Sequence, residues 1–171
     1  DRLVSELLQQ ALAAARAISD EWRRAQAMAA LAPLLTGELI QQALEQGLAD
    51  FAESWLSVLT GQISLALNAM AVSHARSANS RLGGIVLDNG RFAIGQRIKP
   101  VLEMAREASL LAFDNTEEAF CTFFGLVVRD VQIRALLGDR PLPDNQTIRQ
   151  GAIRAAQQFL TLYGVPENKG G

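Results

Sequence analysis

The sequence predicts an all-α protein, an antiparallel bundle of about seven to nine helices that opens with a helical hairpin. Three observations carry this. Ala, Leu, Gln and Arg dominate the chain, and these are good helix formers. Apolar residues recur at helical spacing, most clearly in the last third. No run of alternating Val, Ile, Thr and aromatic residues offers a strand. With 171 residues and 49% of them hydrophobic, the chain is long enough to bury a substantial core.

Leu3–Ile18 reads as the first helix, with Leu3, Leu7, Leu8, Ala11, Ala14, Ala15 and Ile18 near helical spacing. Ser19 or Asp20 caps a second helix, which runs to about Leu31 or Ala32. Pro33 discourages continuation, because it lacks an N–H and restricts Ala32. Thr36 caps a third helix that begins near Gly37 and reaches at least Glu45. Leu7-Leu8-Gln9-Gln10-Ala11-Leu12 returns as Leu39-Ile40-Gln41-Gln42-Ala43-Leu44, shifted by 32 residues. That period suits a helical-hairpin repeat, although two similar amphipathic helices would also show it.

The pattern changes after Gly47. Phe51, Trp55, Leu56 and Leu59 share a helical face, and Gly61 is placed to break it. Ile63–Ala75 reads as another apolar helix. Gly83-Gly84 and Asp88-Asn89-Gly90 read as turns between helices, and Ile85–Leu87 is too short to assign. From Arg91 to about Leu111 a longer helix is expected, either kinked near Pro100 or with Pro100 in its first turn. A helix from about Asp114 to Gly138 follows, with Asp114 and Glu117 spaced as an N-cap and its partner. After a break holding Pro141 and Pro143, the last helix runs from about Asn145 to Gly164.

Charge and chemistry exclude more than they assign. The net charge is −2, and the first 50 residues carry four arginines against seven acids. No segment is basic enough for an evident phosphate-binding surface. Cys121 is the single cysteine, so no internal disulfide or four-thiolate zinc site can form. It reads as a small core residue among Phe120, Phe123 and Phe124. The glycines fit neither GxGxxG nor GxxxxGK[ST]. His74, the lone histidine, reads either as a hydrogen-bonded, partly buried structural residue or as a polar group in a ligand cavity. Glu117-Glu118 reads as helix-end electrostatics rather than a catalytic carboxylate pair. No catalytic constellation, metal site or cofactor is expected. No signal peptide or apolar run long enough to span a membrane is found, and a cytoplasmic setting is expected.

From about Leu48 to Gly164 the chain resembles the C-terminal, ligand-binding and dimerisation domain of TetR-type transcriptional regulators. The resemblance lies in order and spacing. It rests on Phe51-Ala52-Glu53-Ser54-Trp55-Leu56 and on Met70–Gly83 ending in Leu82-Gly83. It continues through Phe123–Asp130 with Arg134–Gly138, and closes on Ala155–Gly164. Ala75 stands where many relatives carry a glutamate, and Ser73 and His74 replace apolar residues. Residues 1–50 lack the tyrosine or aromatic patch of the family's helix-turn-helix. Residues 1–47 resemble bacterial HEAT-like helical repeats instead, through Ala14–Ile18 and Leu31–Leu35. A fusion or an engineered chain would account for that combination.

The resemblance divides the chain into residues 1–47 and a sensor domain, 48–171. It implies a homodimer built by the last two helices, with Phe120, Phe124, Val127, Val131, Ile148, Ala152, Ala155 and Phe159 as interface residues. It implies a cavity for a small apolar effector, with Trp55, Leu59, Met70, His74, Leu102 and Phe124 as candidates. DNA would be bound only through a segment not recognised in this chain. The rival reading is a helical-repeat scaffold that binds a protein partner along Leu3–Leu44 and needs no cavity.

Overall fold

The computed structural model describes residues 38–75 and 81–165, with residues 10, 11, 13–15, 17–19, 23, 27 and 31 of the N-terminal part. Among the described residues there are seven α-helices, one π-helical turn and no strand. Most of the expected N-terminal hairpin and the HEAT-like segments lie outside the described residues. Ala15 is buried against Ala43, with Ala27, Leu31, Leu39 and Ile40 around them, in a small cluster apart from the main core.

Helix α1 spans Glu38–Thr60. It runs without a break through positions 47–48, where the sequence pattern suggested a boundary. Leu44, Leu48, Ala52, Trp55 and Leu56 keep one helical stripe across that point, and all pack into the main core. Gly61 ends the helix with an extended backbone, φ −65° and ψ 144°. Helix α2, Gln62–His74, leaves at 62° to α1.

The glycine-rich stretch corrects the sequence reading. Leu82–Leu87 is helix α3, Asp88–Phe92 is a π-helical turn and Ala93–Glu107 is helix α4. The junction residues Asp88 and Phe92 hold right-handed helical angles, so the three pieces form one helical rod. Glycine weakens a helix by about 1 kcal/mol without forbidding it, so the Gly83-Gly84 and Gly90 signals were not breaks. The side chain of Asn89 donates to Ile85 O at 2.9 Å, which keeps this polar residue inside the helical turn. Pro100 lies within α4 rather than in its first turn. The rod ends at Glu107, before the expected Leu111, where Ser109 adopts φ 57°.

Helix α5 is Thr116–Val128. Its cap is Asn115 rather than Asp114, with Asn115 Oδ1 accepting from the Glu118 amide at 3.1 Å. The single helix expected to Gly138 is interrupted at Arg129, whose φ of 44° and ψ of −127° cannot continue it. Helix α6, Val131–Leu136, follows. Helix α7 spans Asn145–Tyr163 and is capped by Asp144, which accepts from the Thr147 amide at 2.7 Å. Gly164 ends α7, and a Cβ there would stand 2.4 Å from Leu160 O, so the site requires glycine. The chain then ties back: Ala112 N donates to Tyr163 O at 2.8 Å and Val165 N to Leu110 O at 3.0 Å.

The core lies among α1, α4, α5 and α7. Phe120, Phe123, Phe159, Leu48, Leu102 and Leu111 are its largest fully buried side chains. Phe123 and Phe159 meet edge-on at 5.2 Å between ring centroids, and Phe159 stacks further on Tyr163 at 5.0 Å. Gly95 lets α4 approach this aromatic layer, since a Cβ there would lie 3.1 Å from the Phe120 ring.

Candidate ligand-binding trough

One side of the molecule is not filled. Helices α1 and α2, the α3–α4 rod, Ser19 of the N-terminal part and single side chains from α5 and α6 border an open trough of about 1800 Å³. Its α1 wall carries Phe51, Trp55, Val58 and Leu59, and its α2 wall carries Ile63, Leu67 and Asn68. The rod contributes Ile85, Leu87, Arg91, Ile94 and Arg97, and Phe124 reaches in from α5. These apolar walls face space rather than one another, because α2 splays from α1 at Gly61. Ile63, Leu67, Ile85 and Leu87 are consequently exposed.

At the foot of the trough, the Trp55 and Phe124 rings stand 4.7 Å apart and tilted. Trp55 is buried, and its Nε1–H has no hydrogen-bond partner. The Arg91 guanidinium lies over Phe120 at 5.4 Å and over Phe124 at 5.2 Å, and donates to Cys121 Sγ at 3.1 Å. Beside this cluster, Lys99 pairs with Glu117 in the first turn of α5. That ammonium, with a smaller contribution from Arg91, holds the Glu117 carboxyl below its ordinary range.

Of the six residues expected around a cavity, Trp55, Leu59 and Phe124 line the trough. The other three do not. Leu102 points from α4 into the packed core and is fully buried. Met70 is half exposed, near the far end of α2. His74 is exposed at the last turn of α2, with Nδ1 at 2.9 Å from Met70 O and 3.0 Å from Ser73 Oγ. It is hydrogen-bonded but neither buried nor part of the cavity wall. Arg91 and Arg97 were missed, since arginine on a helix normally signals a solvated face.

The expected interface residues also need correction. Phe120, Val127, Ile148, Ala152, Ala155 and Phe159 are buried within the chain itself and offer no surface to a partner. Phe124 and Val131 are half-buried, and Phe124 faces the trough. The stripes on α5 and α7 are real, but they pack against α1, α4 and each other. Helical periodicity reports that a face is covered, not what covers it. The outward face is different: Gly125 and Leu126 on α5 with Arg129 just past its end, and Arg154, Gln158 and Leu162 on α7. Leu162 is 62% exposed there, and Arg129 bridges the two helices by donating to Gln158. Cys121 is exposed rather than a core residue, because successive helical residues point about 100° apart.

Comparison with known proteins decides the lineage. The profile of the AefR-like transcriptional repressor, C-terminal domain, matches residues 46–165. The chain belongs to the TetR family. A TetR transcriptional regulator from Agrobacterium tumefaciens, known from a crystal structure, is 36% identical, with a TM-score of 0.67. The match covers 84% of this chain and 74% of that one. A Mesorhizobium loti protein described as a TetR-family transcriptional regulator shares the fold, with a TM-score of 0.65 at 17% identity. That match covers 95% of this chain and 74% of the other. No curated protein sequence matches. This TetR-type C-terminal domain thus has the all-α fold expected from its sequence. Membership of a regulator family points away from an enzyme. Among the described residues, no group of His, Cys, Asp and Glu is placed to hold a metal ion. No single described helix is long and apolar enough to cross a membrane.

Proposed function

We propose that this chain supplies the sensing and dimerising part of a TetR-type regulator, with a small, largely apolar effector bound in the trough. DNA would be contacted through a segment outside residues 46–165. The observation that carries the reading is the trough itself. Its volume exceeds the roughly 300–1,000 Å³ typical of small-molecule sites, and it is bordered by helices rather than loops. Closure of α2 and the rod around a ligand would bury the apolar side chains now facing space.

Helix α1 offers a route outward. Its C-terminal half walls the trough and its N-terminal half packs on Ala15, the whole helix being about 35 Å long at 1.5 Å per residue. An effector that fits one placement of α1 better than another would shift the population between them. For the dimer, we assign the outward face of α5 and α7, centred on Leu126, Gln158 and Leu162.

Native mass spectrometry of the full chain tests both parts. A dimer that retains a small organic molecule is the expected result. The double variant Leu126→Arg, Leu162→Arg should run as a monomer with unchanged helicity. An empty wild-type monomer that takes up no apolar compound would overturn the proposal.

A further inference from the structure

The charges bordering the trough are all of one sign. Among the described residues, Arg91 and Arg97 are its only charged ones, and no described aspartate or glutamate lines it. Arg97 makes no salt bridge or side-chain hydrogen bond among the described residues. Arg91 is held by aromatic faces and a thiol rather than by a direct salt bridge, although Glu117 lies nearby, engaged with Lys99. The third observation is independent of charge. Trp55 Nε1–H, on the same wall, is a buried donor with no acceptor. Buried donors in native proteins are almost always paired, and an acceptor brought by a ligand would reach this one as the trough walls close.

We infer that the trough takes an amphipathic organic anion, an apolar or aromatic body bearing one carboxylate, bound through Arg91, Arg97 and the Trp55 indole N–H. The inference rests on the sensor reading and narrows it from an apolar effector to an acidic one. A neutral hydrocarbon would leave two guanidinium groups facing an apolar body. An organic cation would be repelled by both. A carboxylate supplies oxygens for guanidinium and indole donors together, while its body meets Ile63, Leu67 and Ile85.

Isothermal titration of the full chain with 2-naphthoate and with naphthalene-2-methanol, a neutral molecule of similar shape, tests this. Naphthoate should bind at least about tenfold tighter, the size of one charge-assisted hydrogen bond. In the double variant Arg91→Gln, Arg97→Gln that preference should vanish while affinity for the alcohol is kept, which also shows that the variant is folded. Should the double variant unfold, Arg97→Gln alone still tests the inference, since its side chain is exposed and should lose part of the preference. Equal binding of the two probes to the wild type would overturn the anion inference and leave the sensor reading standing. A preference that survives both substitutions would overturn the assignment to these arginines. Binding of neither probe would bring down both.

Discussion

The two sides of this domain are built to different standards. In the α5–α7 half, both long helices begin with side-chain N-caps, Asn115 and Asp144. Their inner faces close into an aromatic layer with no exposure at Phe123 or Phe159. In the α2–α3 half, neither helix nor the π-helical turn has a side-chain cap. No residue of α3 or the π-turn is buried, and Ile63, Val72, Ile85 and Phe92 stand exposed. The contrast teaches where stability resides and where movement is cheap. A half with few buried contacts opens at low free energy, whereas the packed half opens only with the whole domain. A sensor needs both, a fixed frame and an adjustable wall.

The sharpest way to break the comparison is to hollow the packed half. Phe159→Ala removes a ring that touches Phe123 and Tyr163 at full burial, and should cost about 3–5 kcal/mol of unfolding free energy. Urea denaturation followed by circular dichroism would read it. A loss below about 1 kcal/mol would mean that the aromatic layer is not the frame. One step smaller, Asn115→Ala removes the cap of α5 and should cost about 1 kcal/mol.

On the trough side the same measurement should barely move. Ile63→Gln alters a side chain that is 79% exposed, so unfolding free energy should stay within about 0.5 kcal/mol of the wild type. Binding of a trough ligand should weaken in the same variant, since Ile63 lines the wall. A large loss of stability would show that α2 belongs to the frame after all.

How much of this was readable follows the same division. The frame was legible because its helices obey local rules. The last helix was expected at about Asn145–Gly164 and spans Asn145–Tyr163. On the trough side only the apolar α2 was as legible, expected at Ile63–Ala75 and spanning Gln62–His74. The break at Arg129 left no sign, since arginine has no preference for positive φ. The rod through Gly83-Gly84 was hidden because glycine signals permission, not a turn. The trough was least legible of all. Its walls come from residues as far apart as Ser19 and Gln132, and nothing local tells a stripe that faces a cavity from one that faces a core. Leu102 and Trp55 looked alike in sequence; both are buried in the core, and only Trp55 also borders the trough.

The smallest effect we expect lies in the caps, and it separates charge from geometry. Asp144 accepts from the hydroxyl of Thr147 and, second, from its amide, and both hold the carboxyl below the ordinary aspartate range. A depressed folded pKa means that the unfolded chain binds the proton more readily. The contribution is therefore complete above the ordinary value and is lost as pH falls through the folded one. Asparagine caps nearly as well but does not titrate. Asp144→Asn should thus melt slightly below the wild type near neutral pH, where the carboxylate also favours the helix N-terminus. The gap should close as pH falls below about 4 and the wild-type carboxyl takes up its proton. Other titrating groups are common to both proteins and cancel in the difference. A gap that stays constant across that range would mean that the cap works by shape alone, and that charge adds nothing to the rigidity of the packed half.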